Sequence, residues 1–343
     1  MRPIMISRRV ALKVIASMPL AHGLACRSAA AKILNEDDVV HASVFGVVSD
    51  GVSNDTSRLQ DAIDRSVGKT LLIGGQCRID TQGLSLRSGS RVRFEPGASI
   101  KLLAHDTPSY QMLRMWDVSD VVLENATLDG SRELNSAQPK THSEGYGMGI
   151  SIAGSSKITI KSATTVGCWG DGIYLANSYQ PTSMPPQDIH VIDHHANNCR
   201  RQGISIISGR NVFIEGGLWE NIGGTAPSAG MDIEPNSNRD VLENIRIVNP
   251  VTRNCKIGIL VYLLKIAGVE SKDVQIDISG QRDESAKIAA FSVSGLDTKG
   301  SIVKGRIVNR SATWIKPKLL SVESHDYDKR GPQIVVTNLK TIR

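Results

Sequence analysis

Gly149-Ile150-Ser151-Ile152 recurs as Gly172-Ile173-Tyr174-Leu175, Gly203-Ile204-Ser205-Ile206, Gly230-Met231-Asp232-Ile233 and Gly258-Ile259-Leu260-Val261. The intervals are 23, 31, 27 and 28 residues, inside the window of roughly 20–50 that marks a stacked repeat. After each glycine the order apolar, variable, apolar is that of a strand with one buried face. A second apolar strand follows in each unit: Lys157-Ile158-Thr159-Ile160, Asp188-Ile189-His190-Val191 and Asn211-Val212-Phe213-Ile214. Asn198, Asn221 and Asn254 precede the next glycine; asparagine tolerates a left-handed turn and its amides pair when stacked. Two or three short strands per unit of about 27 residues make one coil of a parallel β-helix. A leucine-rich repeat, the competing solenoid, would need a leucine consensus that these units lack.

Further coils extend the pattern both ways. Residues 84–86, 92–94, 100–103 and 121–128 carry earlier apolar strands, and 274–278, 291–293 and 302–308 later ones. The last apolar run, 334–336, ends a final coil or a tail along the barrel. Before the first coil, Leu59, Ala62 and Ile63 stand at helical spacing. Asn54 or Asp55 is the expected N-cap of a helix running to about Val67. Such a helix would cover the open end, where a solenoid otherwise exposes core and unpaired edges. The expected division is 1–31 export signal, 32–70 cap segment with helix, and 71–343 parallel β-helix. Two insertions, 130–147 and 177–187, interrupt the coils and suit the borders of a binding site.

The composition agrees. The 343 residues include only 4% aromatics but 31 Gly, which favours short strands and turns over a thick globular core. The net charge of +6 comes largely from Arg2, Arg8, Arg9, Lys13 and Arg27; without them 35 basic face 34 acidic side chains. A nucleic-acid partner is therefore not indicated. Arg8, Arg9 and Lys13 belong to Ser7-Arg8-Arg9-Val10-Ala11-Leu12-Lys13, followed by an apolar stretch and Ser28-Ala29-Ala30-Ala31. The segment resembles a bacterial twin-arginine export signal, with an ordinary secretory signal as the alternative. Its apolar stretch is shorter than the ~20 residues that span a membrane. A periplasmic or secreted protein is expected. Cys77, Cys168, Cys199 and Cys255 fall at related places in the repeat and read as a ladder of buried thiols. A Cys168–Cys199 disulfide is the alternative in an oxidising compartment.

Phe45-Gly46, Asp50-Gly51, Asn54-Asp55-Thr56 and Leu59-Gln60-Asp61-Ala62-Ile63-Asp64 together resemble the N-terminal signature of the pectate-lyase-like β-helix proteins. The resemblance implies an all-β, right-handed parallel β-helix with a short N-terminal capping helix, acting on a polysaccharide or oligosaccharide. That superfamily holds pectinase-type hydrolases, lyases, epimerases and phage tailspikes. Asp171-Gly172 resembles the Asp-Gly element of its polygalacturonase-type hydrolases. The chain departs from that pattern one coil later, where Arg201-Gln202-Gly203 stands in place of paired aspartates, and the His-Gly and Arg-x-Lys elements of those hydrolases are not recognisable in its coils.

Alternation along the repeated strand predicts an outward column of Ser151, Tyr174, Ser205, Asp232 and Leu260. Glu234 and Tyr262 fall in the next outward row, and the turn before the strand adds Asp171, Arg201 and Lys256. Asp232 and Glu234, as residues i and i+2, would lie ~6.6 Å apart, near the ~6.5–9.5 Å that lets an inverting glycosidase seat a water. Their repulsion would keep one protonated. The expected catalytic residues are Asp171, Asp232 and Glu234. Tyr174, Arg201, Ser205, Tyr262, Trp169 and Lys256 are expected to bind substrate. No cofactor is expected for a hydrolase. A lyase or uronate epimerase would use Arg201, Tyr174 or Lys256 for proton transfer, with calcium on the carboxylates. A noncatalytic carbohydrate binder would use the same face as a track. His190, His194 and His195 read as surface or turn residues.

Overall fold

A computed structural model describes residues 38–135, 146–296, 302–316 and 331–342. The expected export signal, most of the 130–147 insertion and part of the last coils lie outside the described residues. Among the described residues no helix is long and apolar enough to cross a membrane.

The described residues wind through three parallel sheets, two of eleven strands and one of eight. One turn runs through Ser156–Lys161 in the first sheet, Thr164–Val166 in the second and Ile173–Ala176 in the third, then returns to the first at Gln187–Ile192. Each strand pairs in parallel with its counterpart a coil away, as in Ile173↔Ile204, Ile204↔Met231 and Met231↔Ile259. This register stacks like side chains inside the coil. Ile158, Ile189, Val212 and Ile245 form one buried column, and Ile173, Ile204, Met231 and Ile259 another. Each such side chain contributes about 1.5–3 kcal/mol by leaving water, so stability accrues rung by rung.

The corners explain the polar residues between strands. Asn198, Asn221 and Asn254 adopt φ of 55°, 55° and 50°, the left-handed region that asparagine tolerates. Asn221 donates to Asn197 Oδ1 at 3.1 Å and Asn254 to Asn221 Oδ1 at 2.8 Å. The strand-starting glycines answer a different need. A Cβ on Gly203 would lie 2.6 Å from the Gly230 carbonyl oxygen and 2.9 Å from Trp219 Cβ. The chain there passes against side chains of the second sheet, and only hydrogen fits.

Strands Val39–His41 and Asp50–Asn54 already pair with Thr70–Ile73 and Gln76–Ile79, so the segment assigned to the cap also supplies the first rungs. The helix spans Thr56–Arg65, shorter than expected. Its first turn is served by Asn54, whose Oδ1 accepts the Thr56 N–H at 3.0 Å. Asp55 is not the side-chain cap; its carboxylate accepts the N–H groups of Val48 and Ser49. Leu59, Ala62 and Ile63 are buried. On the helix, the Gln60 amide accepts the Ser85 N–H and donates to the Ser85 carbonyl. It thereby closes the edge strand Leu84–Ser85 of the third sheet, a place where unpaired backbone invites aggregation. At the other end, Gln333–Thr337 and Lys340–Ile342 join the first and second sheets as a final coil rather than a detached tail.

Cys77, Cys168, Cys199 and Cys255 are free and buried, so the Cys168–Cys199 disulfide does not form. His194 is also corrected: it is buried inside the coil, not on the surface. His190 is exposed and His195 half-buried beside Glu220.

Candidate active site

The expected column exists in the third sheet. Arg114, Ser151, Tyr174, Ser205, Asp232 and Leu260 are successive Cα partners, each about 4.8 Å from the next. They alternate with core residues such as Ile204, Ile206, Met231 and Ile233, so they lie on the outer side of the sheet. The column is not an open wall, however. Ser151 and Asp232 are 1% exposed and Ser205 is fully covered, while Tyr174 is half-buried. The turn residues before each strand fold back over the column and bond to it.

Asp171 and Arg201 form the first element of this cover. Arg201 Nε lies 3.7 Å from Asp171 Oδ1, and Ser205 Oγ donates to Asp171 Oδ2 at 2.9 Å. Burial pushes the Asp171 carboxyl upward; the Arg201 charge and the Ser205 hydrogen bond oppose it. The same ion pair raises Arg201, whose guanidinium lies 5.6 Å from the Tyr146 ring.

Asp232 forms the second element. Gln202 Nε2 donates to Asp232 Oδ2 at 2.8 Å, and Gln202 Oε1 accepts the Ala229 N–H at 3.0 Å. Asp232 Oδ1 receives no protein donor. Burial, then the charge of the neighbouring Glu234, push Asp232 well above the usual carboxylate range. Glu234 follows it as residue i+2 on the same face. Tyr174 completes the cluster: its Oη accepts from Asn236 Nδ2 at 3.3 Å, and burial raises its phenol.

No family model matches the chain. The YclG protein of Bacillus subtilis (strain 168), itself described as uncharacterized, is 22% identical over an alignment covering 88% of this chain and 58% of the relative. Solved structures with a similar fold include two that overlap most of this chain. The N-terminal fragment of bacteriophage phi29 gene product 12 gives a TM-score of 0.68 at 15% identity, over 88% of this chain and 52% of that one. Endo-xylogalacturonan hydrolase from Aspergillus tubingensis gives 0.58 at 13% identity, over 88% of this chain and 92% of that one. The fold is a right-handed parallel β-helix. The chain spans little more than half the length of YclG and of the phage fragment.

On this β-helix the other expected site residues take different places. Trp169 is buried at 8% exposure, with the Arg200 guanidinium 4.7 Å from its ring and its backbone N–H donated to Tyr110 Oη. It belongs to the core and offers no open face to a sugar. Lys256 shares a row with Arg201, but Ser228 intervenes: Arg201 bonds back to Gly170 and Lys256 to Ser228. It forms no ion pair with the carboxylates among the described residues. Tyr262 falls one rung beyond Glu234, following the pairs Asp232↔Leu260 and Ile233↔Val261, and its ring packs beside Gly295. Sequence reasoning missed Gln202, Tyr146 and Asn236. Gln202 was findable, since it precedes Gly203 as Asp171 precedes Gly172.

Proposed function

We propose that the protein hydrolyses a glycosidic bond of a polysaccharide, with Asp232 as general acid and Asp171 as general base. The observation that carries this reading is a pair of buried carboxyls on one face with unlike neighbours. Burial and the Glu234 charge push Asp232 well above its ordinary value; burial raises Asp171 too, but Arg201 and Ser205 beside it favour its ionised form. Unlike surroundings of two carboxyls are the usual means of assigning acid and base. Their strands are two rungs apart, about 10 Å at the backbone, and Asp171 reaches one rung toward Asp232 to meet Ser205. Both carboxyls are covered in this structure, so the reading requires the Arg201–Gln202 turn to swing aside before a sugar and a water enter.

In the reaction, Asp232 gives its proton to the glycosidic oxygen as the bond to the anomeric carbon breaks. Asp171 removes a proton from the water that attacks that carbon. Asp232 ends ionised and Asp171 protonated, and exchange with solvent restores both. Glu234 acts as a positioning residue that keeps the proton on Asp232. The shared fold supports the substrate class: the Aspergillus protein is, by name, a hydrolase of xylogalacturonan. The reading also agrees with the export expected of residues 1–31. Arg201 speaks against a lyase or epimerase, because its charge is engaged by Asp171 and its pKa is raised, which makes it a poor proton acceptor.

Product analysis on a panel of neutral and acidic polysaccharides tests the reading. New reducing ends without unsaturation are expected, and Asp232→Asn or Asp171→Asn should lower kcat about a hundredfold or more. Unsaturated products would establish a lyase, and an untouched polymer a binding protein.

A further inference from the structure

The chain has four tryptophans. Trp169, Trp219 and Trp314 are buried, whereas Trp116, on the strand Ser109–Trp116, is only partly covered. Its Nε1 donates to Ser151 Oγ at 2.9 Å, which fixes the ring on the outer side of the third sheet. The 177–187 insertion, bonded internally from the Ser178 N–H to the Met184 carbonyl, brings Tyr179 onto that ring. The centroids are 4.9 Å apart at 67°, and Tyr179 is 60% exposed. Two aromatic rings held edge to face and reachable from solvent present a preformed apolar platform.

Arg114 stands beside them, its guanidinium 5.7 Å from the Trp116 ring. It donates to Ser85 Oγ and to the Gln82 carbonyl, and it forms no ion pair among the described residues. The nearby Arg87 is neutralised by Asp64 at 2.7 Å; Arg114 has no such partner. Arg114 lies in the same column as Asp232, with Ser151, Tyr174 and Ser205 between them. Four rungs separate the two, about 19 Å along the axis.

We infer that Trp116, Tyr179 and Arg114 form a second binding subsite, which takes an acidic sugar unit of an extended chain. The aromatic rings receive the apolar face of a pyranose, and the unneutralised guanidinium receives its carboxylate or sulfate. The subsite lies several sugar units from the scissile bond. It rests on the reading of the carboxylate face as a polysaccharide site, and it narrows the substrate to polymers bearing negative charge.

Tryptophan fluorescence tests it, because Trp116 is the one tryptophan that is not buried. The full chain carrying Asp232→Asn is titrated with matched oligosaccharides: uronate-bearing, sulfated and neutral, each short and long. Long acidic members should quench or shift the emission. Trp116→Phe should abolish the signal, and Arg114→Gln should weaken binding roughly tenfold, with both variants checked for native circular dichroism. Equal response to neutral and acidic members, or no response to any, overturns the subsite. Calorimetry on Arg114→Gln covers the case of a Trp116 variant that does not fold. The two readings fail separately: acidic binding without cleavage by wild-type protein keeps the subsite and removes the hydrolase, whereas cleavage without acidic preference does the reverse.

Discussion

Gln202 donates from Nε2 to Oδ2 of Asp232 at 2.8 Å while its Oε1 holds the Ala229 N–H. The other carboxyl oxygen of Asp232 is buried without a donor. A donor aimed at a carboxylate stabilises its charged form. Replacing Gln202 with Leu should therefore raise Asp232 further, and move the basic limb of the pH–rate profile upward. It also orphans the buried Ala229 N–H, at about 1–3 kcal/mol of stability. A profile that superimposes on the wild-type one, with kcat intact, would remove Gln202 from a positioning role.

Gly203 makes a sharper steric prediction. Gly203→Ala places a methyl group against Trp219 and the Gly230 carbonyl, an overpacking that costs about 1–3 kcal/mol. Gly223→Ala is the control, since nothing lies within 4 Å of its added Cβ. Chemical denaturation should lower the midpoint for the first and leave the second near wild type. Equal midpoints would mean that the third sheet shifts freely against the second.

The thiols should be silent until the coil opens. Cys168 and Cys199 are fully buried, and the Cys199 thiol beside Cys168, together with burial, raises Cys168 well above its ordinary value. Little thiolate forms, and thiolate is the reactive species. Ellman's reagent should therefore leave the native protein unlabelled at these positions. After denaturation without reductant, Cys77, Cys168, Cys199 and Cys255 should all react. Loss of two reactive thiols in the denatured protein would show a disulfide.

The coil was legible because two simple periods coincide. Ile204 and Ile206 flank Ser205 at the two-residue period of a strand, and Gly203 recurs at the length of a coil, so face and register followed from spacing. The cover over the column was not legible. Arg201 and Gln202 fold back upon Asp171 and Asp232 from an irregular turn, and no periodicity describes where such side chains go. Strand spacing likewise set Asp232 and Glu234 on one face but not the burial of Asp232 beneath the Gln202 side chain. His194 was misread because it precedes a strand of three residues, His195–Asn197, too short to show which residues face inward.

That buried histidine sets the last expectation. Trp219 Nε1, a donor only, bonds His194 Nδ1 at 3.1 Å. Nδ1 is therefore unprotonated, and Nε2 carries the proton toward Thr165 Oγ1 at 2.9 Å. A second proton would have to displace the Trp219 bond, and burial already lowers His194 from 6.5 to about 3. A depressed folded pKa gives stability that is complete above 6.5 and lost as pH falls toward 3. The ceiling of that loss is about 5 kcal/mol. Asp283 runs the other way: burial raises it from 3.8 to about 6, so its contribution is complete below 3.8 and lost as pH rises through 6. Urea denaturation across this range should show His194→Gln losing less stability on acidification than wild type. Asp283→Asn should gain relative to wild type at neutral pH. Three parallel curves would mean that neither group titrates differently in the folded and unfolded chains.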